Sequence, residues 1–248
     1  MKKSTKKNSE AISEVKPEAK PNALNVVRID IPYRNEMTVI YAFPYDIMTN
    51  MILFGQFFST PTFYEQNILE FIQSKYSGGT ALDIGANIGN HSIFFSKFVF
   101  DKTISFEASP KNFSLLFQNK VLNSLGDDKL EIHNVALSDG EHRYNFLEYQ
   151  HNVGGTMVVE GDGFAITKTI DSFDLPKVDF IKLDVEGHEL KVLKGAANLI
   201  SRDFPDIMVE CDIHEETSFN NVDIYMESIG YRLIDVFRDN QMYYYKHR

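Results

Sequence analysis

The chain has 248 residues, 43% of them hydrophobic, with no tryptophan, one cysteine and a formal net charge of −10. This is enough apolar material for one sizeable α/β core with a modest extension. A lone Cys211 excludes an intrachain disulfide and a cysteine-based zinc cluster, and the acidic balance argues against a nucleic-acid groove, which needs clustered Lys and Arg.

Residues 1–22 carry six lysines against three glutamates and few apolar groups, and are expected to form a disordered basic tail. No apolar h-region follows those lysines, and no run reaches the roughly 18 apolar residues of a membrane span, so no membrane span and a cytoplasmic location are expected. Residues 23–61 read as an N-terminal hairpin extension. Val26 to Pro32 alternates, Arg34-Asn35-Glu36 makes a polar turn, and Met37 to Phe43 alternates again. Residues 46–60 carry no clear period. Residues 62–248 form the main domain, opening with a helix over Thr62–Lys75 that has Phe63, Ile68, Leu69, Phe71 and Ile72 at helical spacing and Gly78-Gly79 as its stop.

The chain then alternates: strand 80–84, helix 89–99, strand 102–107, helix 110–123, strand 130–135. That rhythm predicts a doubly wound parallel sheet. Between 141 and 170 it breaks into β-like pieces, Arg143–Tyr149 and Phe164–Ile170, around a segment running from Gly154-Gly155-Thr156 to Gly163. Such an insertion is either a lid or ligand pocket or a plain surface hairpin. A buried strand at 178–184, a helix at 188–200, a strand at 206–211 and a helix around 217–228 follow. Strands Tyr231–Phe237 and Met242–Lys246, joined by a turn at 238–241, place one antiparallel strand among parallel ones. The predicted fold is α/β: a Rossmann-like, doubly wound, mostly parallel seven-stranded sheet with a C-terminal antiparallel strand and an N-terminal hairpin and helix extension.

The chemistry concentrates in Thr80-Ala-Leu-Asp-Ile-Gly-Ala-Asn-Ile-Gly-Asn-His-Ser and the following Ile104-Ser-Phe-Glu107. Gly85 and Gly89 let the backbone turn sharply between a strand and a helix, and Glu107 ends the next strand as an acceptor for two ribose hydroxyls. Adenosine is the implied ligand body. A dinucleotide fingerprint would need glycine where Asn87 and Asn90 stand. Asp83 at the strand end would repel a phosphate but suits an ammonium or sulfonium group, so the pattern fits S-adenosylmethionine better than NAD. Two further readings stay open at this point: a non-catalytic adenosine-binding module within a larger assembly, and an NAD-dependent oxidoreductase, which the missing glycines and the terminal hairpin disfavour.

Five ordered motifs extend the pattern: Leu82 to Ser92, Phe106-Glu-Ala-Ser-Pro-Lys-Asn-Phe, Asn134-Val-Ala-Leu-Ser-Asp, Thr169-Ile-Asp-Ser-Phe, and Asp179 to Leu190 with Val192-Leu-Lys-Gly-Ala after it. In these the chain resembles the FkbM-type methyltransferases, a branch of the S-adenosylmethionine-dependent class I fold. The resemblance implies methyl transfer, usually to oxygen, on a small-molecule, sugar, glycan or natural-product acceptor, and leaves the acceptor and the oligomeric state open.

By that resemblance Asp83, Gly85, Ala86, Asn87 and Gly89 would cradle the methionine part of the donor, with Asn90 and His91 opening the next helix. Glu107 would hold the ribose. Ala108, Ser109, Asn134 and Ala136 would flank the adenine, Ser109 also being a helix cap ahead of Pro110. Asp184, Glu186 and His188 lie where a strand ends and a helix begins, at the ligand-binding edge of an open sheet. His188 is the expected base, because it accepts a proton near neutrality. Asp184 is expected also to face the donor, while Glu186 or Glu189 could serve the helix dipole. Gly155, Thr156 and Glu210 are expected at the acceptor. Glu210, Asp212 and His214 share one face of an extended run and with Asp184 could hold Mg²⁺, although the motif does not demand a metal and none is assigned.

Overall fold

In the computed structural model, which describes residues 25–54, 60–149, 152–163, 165–211 and 216–248, two strands come first, β1 (Val27–Tyr33) and β2 (Glu36–Ala42). They pair as an antiparallel hairpin. The segment without a clear period contains a helix, α1 (Ile47–Phe54), started by Asp46, whose carboxylate accepts from the N–H of Met48 at 3.0 Å. The expected basic tail lies outside the described residues.

The main domain runs α2 (Gln66–Lys75), β3 (Thr80–Ile84), α3 (Asn90–Phe98), β4 (Lys102–Glu107), α4 (Pro110–Leu122) and β5 (Leu130–Asn134). It continues with β6 (Arg143–Tyr149), β7 (Asn152–Glu160), β8 (Ala165–Ile166), β9 (Phe180–Leu183), α5 (Glu189–Lys194), α6 (Ala197–Asp203), β10 (Asp206–Glu210), α7 (Glu216–Ser228), β11 (Tyr231–Phe237) and β12 (Met242–His247). Seven strands form one sheet in the order β11-β12-β10-β9-β3-β4-β5, and only β12 runs against the others. The order reverses between β3 and β9, so the chain crosses to opposite sides after each and a crevice opens at their carboxyl ends. β6, β7 and β8 make a separate three-stranded sheet.

Period-2 alternation sends each central strand into two cores. Phe180, Ala81 and Met208 pack toward α2, α3 and the hairpin, while Ile181, Leu183, Leu82, Ile104 and Ile207 pack toward α5, α6 and α7. Near the carboxyl ends of the strands the first face turns polar, with Asp83, Ser105 and Lys182 all buried.

The hairpin is held by side chains that imitate a strand. Asn119 on α4 accepts from the Tyr41 N–H at 2.6 Å and donates to its carbonyl at 2.9 Å, and Asn123 one turn on does the same for Val39 at 3.1 and 2.7 Å. β1 and β2 then feed Ile29, Ile31 and Ile40 into the same cluster as Phe94 and Phe95.

Three boundaries differ from the sequence reading by more than two residues, the first being the helix expected over Thr62–Lys75, which starts only at Gln66 after a turn at Tyr64-Glu65. The strand expected over Phe164–Ile170 is only Ala165–Ile166, followed by one bridge from Lys168 to Leu137 and a 3₁₀ turn at Ile170–Ser172. The helix expected over 188–200 is two helices. The Gly195 carbonyl is taken by the Asp171 N–H at 3.0 Å, and the Asp171 carboxylate caps a fresh helix start through the N–H groups of Asn198 and Leu199, both at 2.9 Å. A side chain at Gly195 would also strike the Ser138 carbonyl, since its Cβ would lie 2.0 Å from that oxygen.

Phe180, fully buried, stacks on Phe100 at 5.7 Å and meets Phe95 edge-on at 5.8 Å. Phe180→Ala should therefore cost about 3–5 kcal/mol of unfolding free energy, read from the urea midpoint at constant slope.

Candidate active site

At the crevice two lobes meet. The first is narrow and lined by Ile84, Phe106, Glu107, Ala108, Asn112, Val135, Ala136, Leu137, Val158 and His188. The second, of about 210 Å³, is lined by Ile47, Met48, Met51, Tyr64, Ala86, Asn90, His91, Lys182 and Glu210. Gly85, Asn87, Asp184 and Glu186 line both, so they mark the junction.

Gly85, at φ +79°, is required there by contact as well as conformation. A Cβ on it would sit 1.6 Å from the Asp184 carbonyl oxygen, so the loops after β3 and β9 touch backbone to backbone. Asn87, also left-handed at φ 51°, turns its N–H onto Glu107 Oε2 at 2.7 Å, and Ser109 N–H donates to Oε1 at 2.8 Å. Each carboxylate oxygen keeps a second lone pair toward the first lobe. Burial pushes the Glu107 carboxyl up to about 7, against the pull of those two N–H groups.

A buried polar chain runs beneath the junction. Ser105 Oγ donates to Ser92 Oγ at 2.9 Å, and Ser92 Oγ to Asp83 Oδ2 at 2.5 Å. The Lys182 ammonium lies 3.7 Å from Asp83 Oδ1 and 2.9 Å from Asp184 Oδ2, and Asp184 shares a hydrogen bond with Glu210. Burial disfavours the Lys182 charge, yet Asp184 and Asp83 together hold its ammonium above the usual lysine range. Burial likewise opposes charge on Asp184, but Lys182 and the Glu210 hydrogen bond keep it below the usual carboxylate range. Burial and the Asp184 charge push Glu210 up to about 11. One proton therefore stays on Glu210 at neutral pH and is donated to Asp184.

The remaining predicted residues fall around these lobes. Asp83 is fully buried under the site and lines neither lobe. Gly89 begins α3 at φ +92° against Leu116, and Ser109 caps α4. Asn134 braces the strand ends by donating to the carbonyls of Glu107 and Ala108 at 2.8 and 3.1 Å. Asn90 clamps Tyr64 through both of its backbone groups at 3.0 Å. His91 Nε2 lies 3.1 Å from Glu65 Oε2, a contact without hydrogen-bond alignment. Glu189 holds the turn before α5, accepting from the Gly187 N–H at 2.9 Å. His188 sits in the first lobe, away from the second, with Nε2 at 2.9 Å from Ser138 Oγ. Gly155 and Thr156 fall in β7, and Val158 of the same strand lines the first lobe. Asp212 and His214 lie outside the described residues, among which no group of three His, Cys, Asp or Glu side chains is placed to hold a metal.

Sequence reasoning missed Lys182, Tyr64, Asn112 and α1. Lys182 did carry a signal: a lysine inside an otherwise apolar strand, at even spacing from Asp184.

Hexuronic acid methyltransferase AglP of Haloferax volcanii is 29% identical over 143 residues, 55% of this chain and 58% of AglP. The crystal structure of Methyltransferase FkbM from Methylobacillus flagellatus KT superposes with a TM-score of 0.51 at 20% identity, covering 68% of this chain and 44% of that one. A ribosomal protein L11 methylase from Lactobacillus delbrueckii subsp. bulgaricus gives 0.51 at 10% identity, over 74% and 78%. At these identities the structures show a shared fold, the Rossmann-like class I methyltransferase fold. The chain spans little more than half of AglP and under half of the M. flagellatus protein. The Methyltransferase FkbM domain matches residues 83–233, the stretch that holds the glycine turn, Glu107 and the Asp184 junction; the chain belongs to the FkbM methyltransferase family, whose cofactor is S-adenosylmethionine.

Proposed function

We propose that the chain transfers a methyl group from S-adenosylmethionine to a hydroxyl oxygen of a sugar, glycan or natural-product acceptor. The observation that carries this reading is the junction, where an adenosine-type lobe ending in Glu107 meets a polar lobe at the Asp184 carboxylate. The residues suit the cofactor: Glu107 lines the first lobe with each carboxylate oxygen held by one backbone N–H, which leaves two lone pairs for ribose hydroxyls. AglP, named for a hexuronic acid, supports a carbohydrate acceptor, and the net charge of −10 favours a small acceptor over a nucleic acid.

When bound, the cofactor supplies an electrophilic methyl on a positively charged sulfur. Glu107 and the loop Gly85–Asn87 would hold the nucleoside in the first lobe, and Ala136 and Leu137 line the side where the adenine would lie. The acceptor enters the second lobe, with its oxygen at the junction. Asp184, with its side chain 25% exposed and aimed by Lys182, would take the proton of an acceptor hydroxyl placed at the junction. Glu210, holding its own proton, donates to Asp184 and keeps it in place. His188 lines only the first lobe, where its Nε2 meets Ser138 Oγ, so in this reading Asp184 rather than His188 is the base.

Replacing Asp184 with Asn should lower kcat by about 10²–10⁴-fold and leave S-adenosylhomocysteine affinity within about threefold. His188→Gln should lower kcat less than about tenfold. The reverse order in single-turnover assays returns the base to His188.

A pH dependence follows from Glu107. Its folded value, about 7, lies above the ordinary 4.5, so its contribution to stability is present below about pH 4.5 and is lost as pH rises through 7. Ribose binding needs the ionised form. Affinity for S-adenosylhomocysteine should therefore rise about tenfold from pH 6 to pH 8, and calorimetry on Glu107→Gln should find weaker binding with no such rise.

A further inference from the structure

We propose that the acceptor is amphiphilic: a polar, hydroxyl-bearing head that enters the second lobe, joined to an aliphatic or aromatic portion that lies along α1. This rests on reading the second lobe as the acceptor site. The floor of that lobe is polar, made by Asn87, Asn90, His91, Lys182, Asp184 and Glu210, whereas its outer wall is Ile47, Met48 and Met51 of α1. The polar floor accounts for a sugar-like head, but the apolar wall has no use for one.

α1 departs from the ordinary pattern of a surface helix. Its sequence, Ile-Met-Thr-Asn-Met-Ile-Leu-Phe, contains no charged residue, although 24% of the chain is charged. Ile52 and Thr49 are buried inward, as one face of such a helix should be. The opposite face should be polar. Instead Ile47 and Met51, one turn apart, are each 50% exposed, and Tyr45 just before the helix is 81% exposed. The exposed apolar surface is continuous with the cavity, because the same Ile47 and Met51 line it. An exposed patch joined to a ligand cavity is where apolar ligand surface is recognised. Met48, between them, sets its sulfur 3.8 Å from Asn87 Nδ2, so α1 is in contact with the residue that also holds Glu107. A ligand resting on α1 therefore has its polar end directed at the junction.

The test uses full-length protein saturated with S-adenosylhomocysteine and two probes of one head group, methyl β-D-glucopyranoside and octyl β-D-glucopyranoside below its micelle concentration. The octyl glycoside should bind at least about tenfold more tightly, and the double variant Ile47→Ser/Met51→Ser should bring it within about threefold of the methyl glycoside. S-adenosylhomocysteine affinity, measured on both proteins, reports folding and the donor site. Equal binding of the two glycosides, binding of neither, or an octyl preference that survives the double substitution overturns the proposal while leaving the donor reading intact. Sedimentation with phosphatidylcholine vesicles supplies the other arm: vesicle binding that needs Ile47 and Met51, without an octyl preference in solution, assigns α1 to a lipid surface and overturns it too. Failure of the wild-type chain to bind S-adenosylhomocysteine would remove the donor reading and this proposal together.

Discussion

Lys182 between Asp83 and Asp184 is the interaction on which the site depends. A parallel sheet is buried on both faces, so a charge in its middle strands is tolerated only if it is paired there. Here the pairing joins β3 to β9 at the point where strand order reverses. Removing the ammonium would strand the fully buried Asp83 carboxylate and leave the partly exposed Asp184 without its cation, a loss of about 3–5 kcal/mol by comparison with other broken buried pairs. With it in place, Asp184 is ionised at a position where burial alone would neutralise it, and Glu210 keeps its proton. The charge pattern facing the crevice is thus set by a residue in the β9 interior.

Much of this was legible in the sequence. The strand and helix rhythm, the terminal hairpin and the Gly85 to Glu107 unit all announce themselves through period and punctuation, because each is determined by its own few residues. What was not legible is what depends on distant partners. The break at Gly195 comes from Asp171, and the hairpin is secured by carboxamides of α4. The short helix α1 carries apolar residues on every side, so no period marks it. His188 stood out on chemistry alone as the base, yet spacing cannot say which side of a turn a side chain takes. The structure puts it with Ala136 and Leu137.

The two lobes draw on different parts of the chain. The nucleoside side is built mostly from the first three parallel strands and their loops, within residues 84–137, and is completed by Val158 of β7 and by Asp184, Glu186 and His188 after β9. The other side draws on α1, Tyr64, His91 and the ends of β9 and β10. Its walls thus come from the extension as well as from the sheet, and the extension is tied to the domain through Asn119 and Asn123 rather than through the sheet itself.

The contact between Gly85 and the Asp184 carbonyl has a mechanical consequence. Because the two loops abut without side chains between them, they cannot slide or part independently, and the floor behaves as a single anvil. Any widening of the entrance has to come from the elements that flank it, α1 and β7, which also touch each other. Spent nucleoside can then depart, and fresh material arrive, while the carboxylate keeps its aim.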